Sequence, residues 1–198
     1  QSEDERTRTA ELIRPILRGR DIKRYGYNWA NLWLINTHNG IRGKLERVHI
    51  EDYPAIKAHL DQYWDRISKR ADKGDTPYNL RNCAYLEDFS KPKILWKRVG
   101  SILRFCYNDN EALGLDSTCF ALGNNIEFVC CVLNTPMGHY LLQDAPKTGT
   151  GDLLISVQAV EPIKLPSVTY EINIEFKRLL EMMIANCSDD IENEISQK

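Results

Sequence analysis

The chain has 198 residues, which is ample for a hydrophobic core and favours one domain, or one domain with an appendage. Its content of 42% apolar and 27% charged residues is typical of a globular protein, and no stretch is apolar for long enough to span a bilayer. The net charge of −2 is unevenly divided, because residues 1–104 hold 21 Lys and Arg against 14 Asp and Glu, whereas residues 105–198 hold 5 against 14. Such asymmetry favours a basic face for a polyanion.

The six cysteines stand at positions 83, 106, 119, 130, 131 and 187 and form no Cys-x-x-Cys pair, and the four histidines are scattered. Structural zinc sites need paired ligands at short spacing, so we predict no metal site. Reduced, buried cysteines indicate a cytoplasmic protein. The N-terminus shows no signal-peptide pattern and does not begin with Met, so we expect a fragment or a processed chain.

The first half of the chain predicts one strand, one turn and one long helix. Tyr27–Asn36 is rich in aromatic and apolar residues, which predicts a buried strand. The sequence His38-Asn39-Gly40 predicts a tight turn. From Asp52 to Arg70, apolar residues recur at spacings of three and four, which predicts a helix with Pro54 in its first turn.

The second half predicts three strands and two helices. The strands are expected over Ile94–Trp96, Gly100–Tyr107 and Thr118–Leu122, with Trp96 in the core. A helix follows over Ile126–Leu141; Asn124 or Asn125 is expected to cap it, and Pro136 to kink or limit it. Tyr170–Ala185 predicts a separate helix, and the acidic tail from Ser188 is expected to be disordered. These elements predict an α+β fold with a small mixed sheet packed with helices.

Three motifs occur in a fixed order along the chain. Ile13–Tyr25 contains a proline followed by LRGRDI, and Asp72–Arg98 contains KG, Y-x-L-R-x-C and KPKI-L-W. The third motif is Ser117-Thr118-Cys119-Phe120 followed by Val132–Thr135. Over roughly Leu12–Pro166 the chain therefore resembles the TaqI-like C-terminal specificity domain. That domain is the target recognition domain of adenine-methylating subunits in prokaryotic restriction-modification and phage-defence enzymes.

The resemblance implies sequence-specific recognition of double-stranded DNA by residues 1–168, followed by a C-terminal helix and tail over 169–198. It also implies a catalytic methyltransferase domain upstream, which would bind S-adenosylmethionine and extrude the adenine. We expect no cofactor and no catalysis in this chain itself, because it lacks the Gly-rich S-adenosylmethionine turn, the N/D-P-P-Y/F motif and the common hydrolase motifs. The nearest string, Asn134–Met137, lacks the second proline and the aromatic residue, which favours a structural role.

Candidate DNA contacts divide into base readout and backbone contact. For base readout we predict Arg81, Asn82 and Lys97, since Arg and Asn suit guanine and adenine edges. For phosphate contact we predict Arg18, Arg20, Lys73, Arg98 and Lys147. Tyr78 is expected either to stack on a base or to pack. An internal pair of Arg18 with Asp21 is the favoured alternative for that arginine, and a mobile surface loop is the favoured interpretation of Asp144–Asp152.

Two other function classes remain open from the sequence. The chain fits a protein-interaction module without DNA affinity of its own, with the Tyr170–Ala185 helix as its docking face. A thiol enzyme would need Cys83 or Cys119 exposed beside a histidine. DNA binding instead predicts a basic surface formed by residues 18–24 and 73–98, whereas an interaction module predicts an exposed apolar patch.

Overall fold

The structure is a computed structural model that describes residues 2–186. This part of the chain divides into two compact units. Unit 1 runs up to Pro15 and continues over Asn31–Phe89, whereas unit 2 combines Ile16–Ala30 with the chain from Ser90 onward. Both contain helices and short strands, so the fold is α+β, as predicted. We predicted a division after residue 168, into a recognition domain over 1–168 and an appendage over 169–198. The boundaries of the two units differ from that division, which stays a prediction. Cys187 and the predicted disordered tail lie outside the described residues.

Unit 1 has few regular elements and a small core. Its elements are α1 (Glu3–Glu11), β1 (Ile13–Leu17), β2 (Trp33–Ile35), α2 (Pro54–Asp61) and α3 (Trp64–Ile67), with a 3-10 turn over Ile50–Asp52. The Oγ of Ser2 accepts a hydrogen bond from the N–H of Glu5 at 3.2 Å, which caps α1. The first half of β1 pairs antiparallel with β2, and the chain passes into unit 2 within β1. The buried core consists of Leu12, Val48, Ile50 and Ile56.

Two predictions for this region were wrong in extent. The helix expected over Asp52–Arg70 is broken between Asp61 and Trp64, because only Ile56 of its apolar stripe is buried. The other residues of the stripe are partly or fully exposed, so they supply less packing energy to hold a continuous helix. The strand expected over Tyr27–Asn36 is reduced to β2, since Asn31 adopts a left-handed φ of 56° and the Trp33 side chain is 56% exposed.

Unit 2 is organised around a three-stranded antiparallel sheet. Strand β3 (Lys93–Lys97) lies between β5 (Phe105–Asn108) and β7 (Thr118–Ala121), with Leu95 opposite Cys106 and Phe120. Trp96 is 2% exposed, which confirms its predicted place in the core. Three two-residue strands complete the unit: β4 (Val99–Gly100), β6 (Leu113–Gly114) and β8 (Leu153–Leu154). Strand β4 pairs with β8, and β6 runs parallel to Ile16–Leu17 of β1.

Four helices belong to unit 2: α4 (Ile126–Leu133), α5 (Pro136–Leu141), α6 (Val157–Val160) and α7 (Tyr170–Asn186). Phe128 of α4 meets Phe176 of α7 edge-on, with ring centroids 5.0 Å apart. Pro136 begins α5, which confirms that it limits the predicted helix. Asn125 precedes α4 as predicted, yet it adopts a left-handed φ of 56°, and its side chain donates to the carbonyl of Val168 at 3.3 Å instead of capping the helix.

Asn134 lies between α4 and α5, and its side chain connects this break to strand β5 by hydrogen bonds. Its Oδ1 accepts from the N–H of Phe105 at 3.1 Å, and its Nδ2 donates to the Phe105 carbonyl at 2.7 Å. The Asn134 side chain is thereby satisfied in a position that is 2% exposed. The structural role expected for the Asn134–Met137 string is therefore confirmed.

Candidate nucleic-acid interface

A pocket of about 630 Å³ lies within unit 1, between two loops. We call residues 39–47 the turn loop and residues 75–84 the polar loop. Together they contribute all of the lining residues, which are Asn39, Gly40, Ile41, Arg42, Gly43, Leu45, Arg47, Asp75, Asn82, Cys83 and Ala84. The predicted base-reading residue Asn82 is thus part of a concave surface.

The turn predicted at His38-Asn39-Gly40 is displaced along the chain, because the tight turn forms over residues 42–44, between the paired residues Ile41 and Leu45. Gly40 has a φ of +73°, and a Cβ at this position would collide with the carbonyl oxygen of Leu45. The N–H of Ile41 donates to the Leu45 carbonyl at 2.8 Å, and the N–H of Val48 donates to the His38 carbonyl at 3.0 Å. These bonds close the loop and hold its ends together.

The polar loop is fixed from beneath by Asn79, which is 1% exposed. The Nδ2 of Asn79 donates to the Val48 carbonyl at 2.9 Å, and its Oδ1 accepts from the hydroxyl of Thr76 at 2.6 Å. Arg70 donates to the carbonyl of Asn79 at 2.8 Å, and the N–H of Leu80 donates to the carbonyl of Thr37 at 2.9 Å. Buried hydrogen bonds, rather than apolar packing, therefore position this loop.

Asn39 connects the two loops across the pocket. Its Oδ1 accepts from the backbone N–H of Asp75 at 2.9 Å, while its Nδ2 donates to Asp75 Oδ1 at 3.0 Å and to Asn82 Oδ1 at 2.6 Å. A backbone N–H can only donate, so it fixes which end of the Asn39 amide is oxygen. Because the Nδ2 of Asn39 must then donate, Asn82 turns its oxygen toward Asn39 and its own Nδ2 away.

Two arginines give the pocket its positive charge. Among the described residues, neither Arg42 nor Arg47 forms a hydrogen bond or an ion pair through its guanidinium group. Lys44 lies on the same loop but does not line the pocket. Arg81, which the sequence predicted as a base-reading residue, is exposed and lies 3.5 Å from Asp72, a surface ion pair worth little in stability.

Lys73 and Tyr78 have structural partners in unit 1. Lys73 donates to the carbonyl of Ser68 at 3.0 Å. The hydroxyl of Tyr78 donates to Asp61 at 2.5 Å, and this hydrogen bond raises the pKa of Tyr78. The Tyr78 ring also lies 5.4 Å from that of Trp64, so this residue packs within unit 1.

Arg18 forms the internal pair that the sequence favoured as its alternative. Its Nε and Nη2 donate to the two carboxylate oxygens of Asp21 at 2.9 Å and 2.7 Å. The backbone N–H of Arg18 also donates to Asp21, and these bonds hold the pKa of that carboxyl below its ordinary value. The pair folds the LRGRD segment and leaves Arg20 exposed beside it.

The remaining predicted phosphate contacts lie in unit 2. The N–H of Gly19 donates to Ser117 Oγ at 3.2 Å, and the N–H of Arg98 donates to the carbonyl of Ser117 at 3.0 Å. A Cβ on Gly19 would stand 2.9 Å from Cγ of Lys97, so the LRGRD segment lies against the end of β3. The structure therefore brings Arg20, Lys97 and Arg98 into one neighbourhood of exposed side chains.

Lys147 lies in the loop over Asp144–Asp152, which is held by its own backbone hydrogen bonds. The N–H of Thr148 donates to the carbonyl of Asp152 at 2.8 Å, and Gly151 takes a φ of +85°. Lys147 itself bridges to Leu153 of β8 and is exposed. Within the described chain Lys147 makes no ion pair, and the same holds for Arg20, Lys97 and Arg98.

The predicted site residues thus divide between the units. Arg81 and Asn82 lie in unit 1, whereas Lys97, the third predicted base reader, lies in unit 2. Sequence reasoning missed Arg42, Arg47 and Asn39. The available signal was the Asn-Gly sequence, because arginines two and seven residues after Gly40 belong to the loop that follows it.

Thiol and metal chemistry find little support in the described residues. Burial raises the pKa of both Cys83 and Cys119, whereas a nucleophilic thiol needs a lowered pKa. Over residues 2–186 no group of three or more His, Cys, Asp or Glu is arranged to hold a metal ion. None of the helices described is both long and apolar enough to cross a membrane.

Comparison of the chain with known family models and with curated proteins found no match.

Proposed function

We propose that this chain recognises double-stranded DNA in a sequence-specific manner, as a specificity domain of the TaqI-like kind. The observation that carries the proposal is the pocket of unit 1. It contains two guanidinium groups that have no partner among the described residues, and an amide, on Asn82, whose orientation is fixed by its neighbour. Side-chain donors that the described protein leaves unsatisfied are suited to reading base edges.

The exposed cations of unit 2 supply the second part of the proposal. Arg20, Lys97, Arg98 and Lys147 project from the LRGRD segment, the end of β3 and the loop before β8. Contacts of this type neutralise phosphates and release counterions, which provides sequence-independent affinity. We assign contact with the DNA phosphates to these residues. Lys97, which the sequence suggested as a base reader, is therefore reassigned to phosphate contact. Arg18 and Tyr78 become structural residues in this assignment.

The resemblance extends the proposal to the biological setting. The chain would choose the site for an adenine-specific methyltransferase domain of a restriction-modification or phage-defence system. That domain would bind S-adenosylmethionine and perform the transfer, and the chain itself would catalyse nothing. A cytoplasmic location follows from that role.

The test is a fluorescence-anisotropy titration of the full chain with a mixed-sequence duplex at several salt concentrations. We expect log affinity to fall linearly with log salt, and each of Lys97→Ala and Arg98→Ala to reduce that slope by about 1. The matched control is Lys177→Ala, which removes an exposed cation from α7 and should leave the slope unchanged. Absence of binding at low salt, or an equal change in the control, would contradict the proposal.

One observation favours the interaction module as a second candidate. Helix α7 leaves apolar side chains in solvent, with Tyr170 72%, Ile174 47% and Ile184 49% exposed. Exposed apolar groups on one element are typical of a docking face. This candidate predicts that the isolated chain does not bind duplex DNA even at low salt, so the same titration separates the two functions.

A further inference from the structure

The polar groups that face the pocket of unit 1 are mostly hydrogen-bond donors. Arg42 and Arg47 each carry a guanidinium group, which has five N–H donors and no acceptor. Asn82 adds the two donors of its Nδ2, because its Oδ1 already accepts from Asn39 at 2.6 Å. The complementary surface therefore presents closely spaced acceptors.

The direction of the Asn82 amide is set by a chain of donors that ends at the backbone. The N–H of Asp75 donates to Asn39 Oδ1, which leaves the Nδ2 of Asn39 as the group that meets Asn82. Reversing the amide of Asn82 would place two NH₂ groups against each other without an acceptor between them. The donor of Asn82 is thus presented outward before any ligand arrives.

Asp75 provides the one carboxylate of the pocket lining. Its Oδ1 accepts from Asn39 at 3.0 Å, and no described donor contacts its Oδ2. A carboxylate close to DNA is repelled by phosphates, so its presence in a DNA-reading pocket is favourable only if a base supplies a donor. Cytosine presents such a donor, its N4 amino group, in the major groove.

These groups match one base pair better than the other. Guanine presents two neighbouring acceptors, N7 and O6, which arginine contacts through two hydrogen bonds, and its partner cytosine presents a donor. Thymine presents its O4 acceptor where cytosine presents its amino group, and adenine places its N6 donor beside its single N7 acceptor. We infer, on the basis of the proposed function, that this pocket reads a G·C base pair, with Arg42 and Arg47 donating to guanine and Asp75 accepting from cytosine.

The first experiment is selection of bound duplexes from a randomised pool by the full chain, followed by sequencing. We expect guanine to be enriched at a fixed position with the unaltered chain, and the enrichment to be lost with Arg42→Ala or Arg47→Ala. Lys44→Ala is the matched control, because it removes a cation from the same loop outside the pocket. The control should keep the enrichment.

The second experiment replaces the selected guanine with 7-deazaguanine, which lacks the N7 acceptor. We expect binding to weaken about 10-fold, the order expected for loss of a good base contact. Hypoxanthine at that position keeps N7 and O6 but lacks the minor-groove amino group, so it should bind like guanine.

The outcomes separate this inference from the proposed function. The base-pair assignment alone would be overturned if the chain retained duplexes in a salt-dependent manner without enriching guanine. It would also be overturned if Arg42→Ala, Arg47→Ala and Lys44→Ala all gave the same enrichment. No retention of DNA by the unaltered chain at low salt would overturn the proposed function and this inference together.

Discussion

The two units hold their functional side chains in place by different means. Unit 2 buries a cluster of 17 apolar residues around the sheet and helices α4 and α7, whereas the buried apolar cluster of unit 1 has four members. Unit 1 depends more on buried polar groups, above all Asn79, to fix the loops around its pocket. Hydrophobic packing tolerates many sequences of similar volume, while a hydrogen-bond network requires particular residues. The proposed base readout therefore lies in the unit whose loops depend on particular polar residues.

The largest effect is expected in the core of unit 2. Leu180 is 1% exposed, and Leu180→Ala should lower the free energy of unfolding by about 2–5 kcal/mol through lost burial and a residual cavity. Ile184→Ala on the same helix is the control; at 49% exposed it should cost less than about 1 kcal/mol. Hydrogen exchange of the β3 and β5 amides, measured with urea unfolding, would report the difference. Equal destabilisation by the two variants would remove the contrast between the units.

A smaller effect is expected from Asn79→Ala in unit 1. The substitution removes three side-chain hydrogen bonds and leaves the buried carbonyl of Val48 without its donor, at a cost of about 1–3 kcal/mol. The amides of residues 74–80 should then exchange faster with solvent. Arg81→Ala, on an exposed residue of the same loop whose surface ion pair with Asp72 contributes little, should leave that exchange unchanged. If Asn79→Ala also leaves the exchange of these amides unchanged, buried polar groups do not fix the polar loop.

The same contrast explains what could be predicted from the sequence. In unit 2 the strand around Trp96 and the start of the helix at Ile126 were predicted correctly, and both elements are largely buried. The strand from Thr118 was also predicted correctly, although it is only partly buried. The strand expected over Gly100–Tyr107 was wrong in extent, since β4 ends at Gly100 and β5 begins at Phe105. In unit 1 the stripe from Tyr53 to Ala71 has helical spacing, but only Ile56 is buried and the other members are partly or fully exposed, so periodicity predicted one helix where two short ones form. A pattern predicts structure only where tertiary packing uses it.

The candidate site was predictable only in part. The polar loop was found from its donor-rich sequence, whereas the turn predicted at His38-Asn39-Gly40 forms over residues 42–44. Their juxtaposition depends on hydrogen bonds from Asn39 to Asp75 and Asn82, over sequence separations of 36 and 43 residues, which no local pattern encodes. Arg42 and Arg47 gain their significance from that juxtaposition, so single-sequence reasoning did not select them.

A pH-dependent effect is expected from a polar group inside the apolar unit. Lys93 is 0% exposed, and its Nζ donates to the carbonyl of Asn110 at 2.6 Å. Burial lowers its pKa from 10.5 to about 8, against the attraction of Cys106, Asp109 and Glu111. Between these two pKa values the unfolded chain binds a proton that the folded chain has released. Stability therefore rises with pH across that window, and below about pH 8 both states carry the charge.

Lys93→Met keeps the length and the apolar stem but removes the titrating group. We expect the stability of the unaltered chain, measured relative to this variant by urea unfolding, to be constant up to about pH 8 and to increase between pH 8 and 10. Other groups, including the buried Cys106 thiol, titrate in both proteins and so largely cancel in the difference. A difference that stays flat or falls over this range would show that the Asn110 carbonyl and nearby acidic groups fully compensate the buried charge. Burial of the charged Lys93 side chain would then have no net cost to the stability of unit 2, just as buried polar groups are stabilised by hydrogen bonds in unit 1.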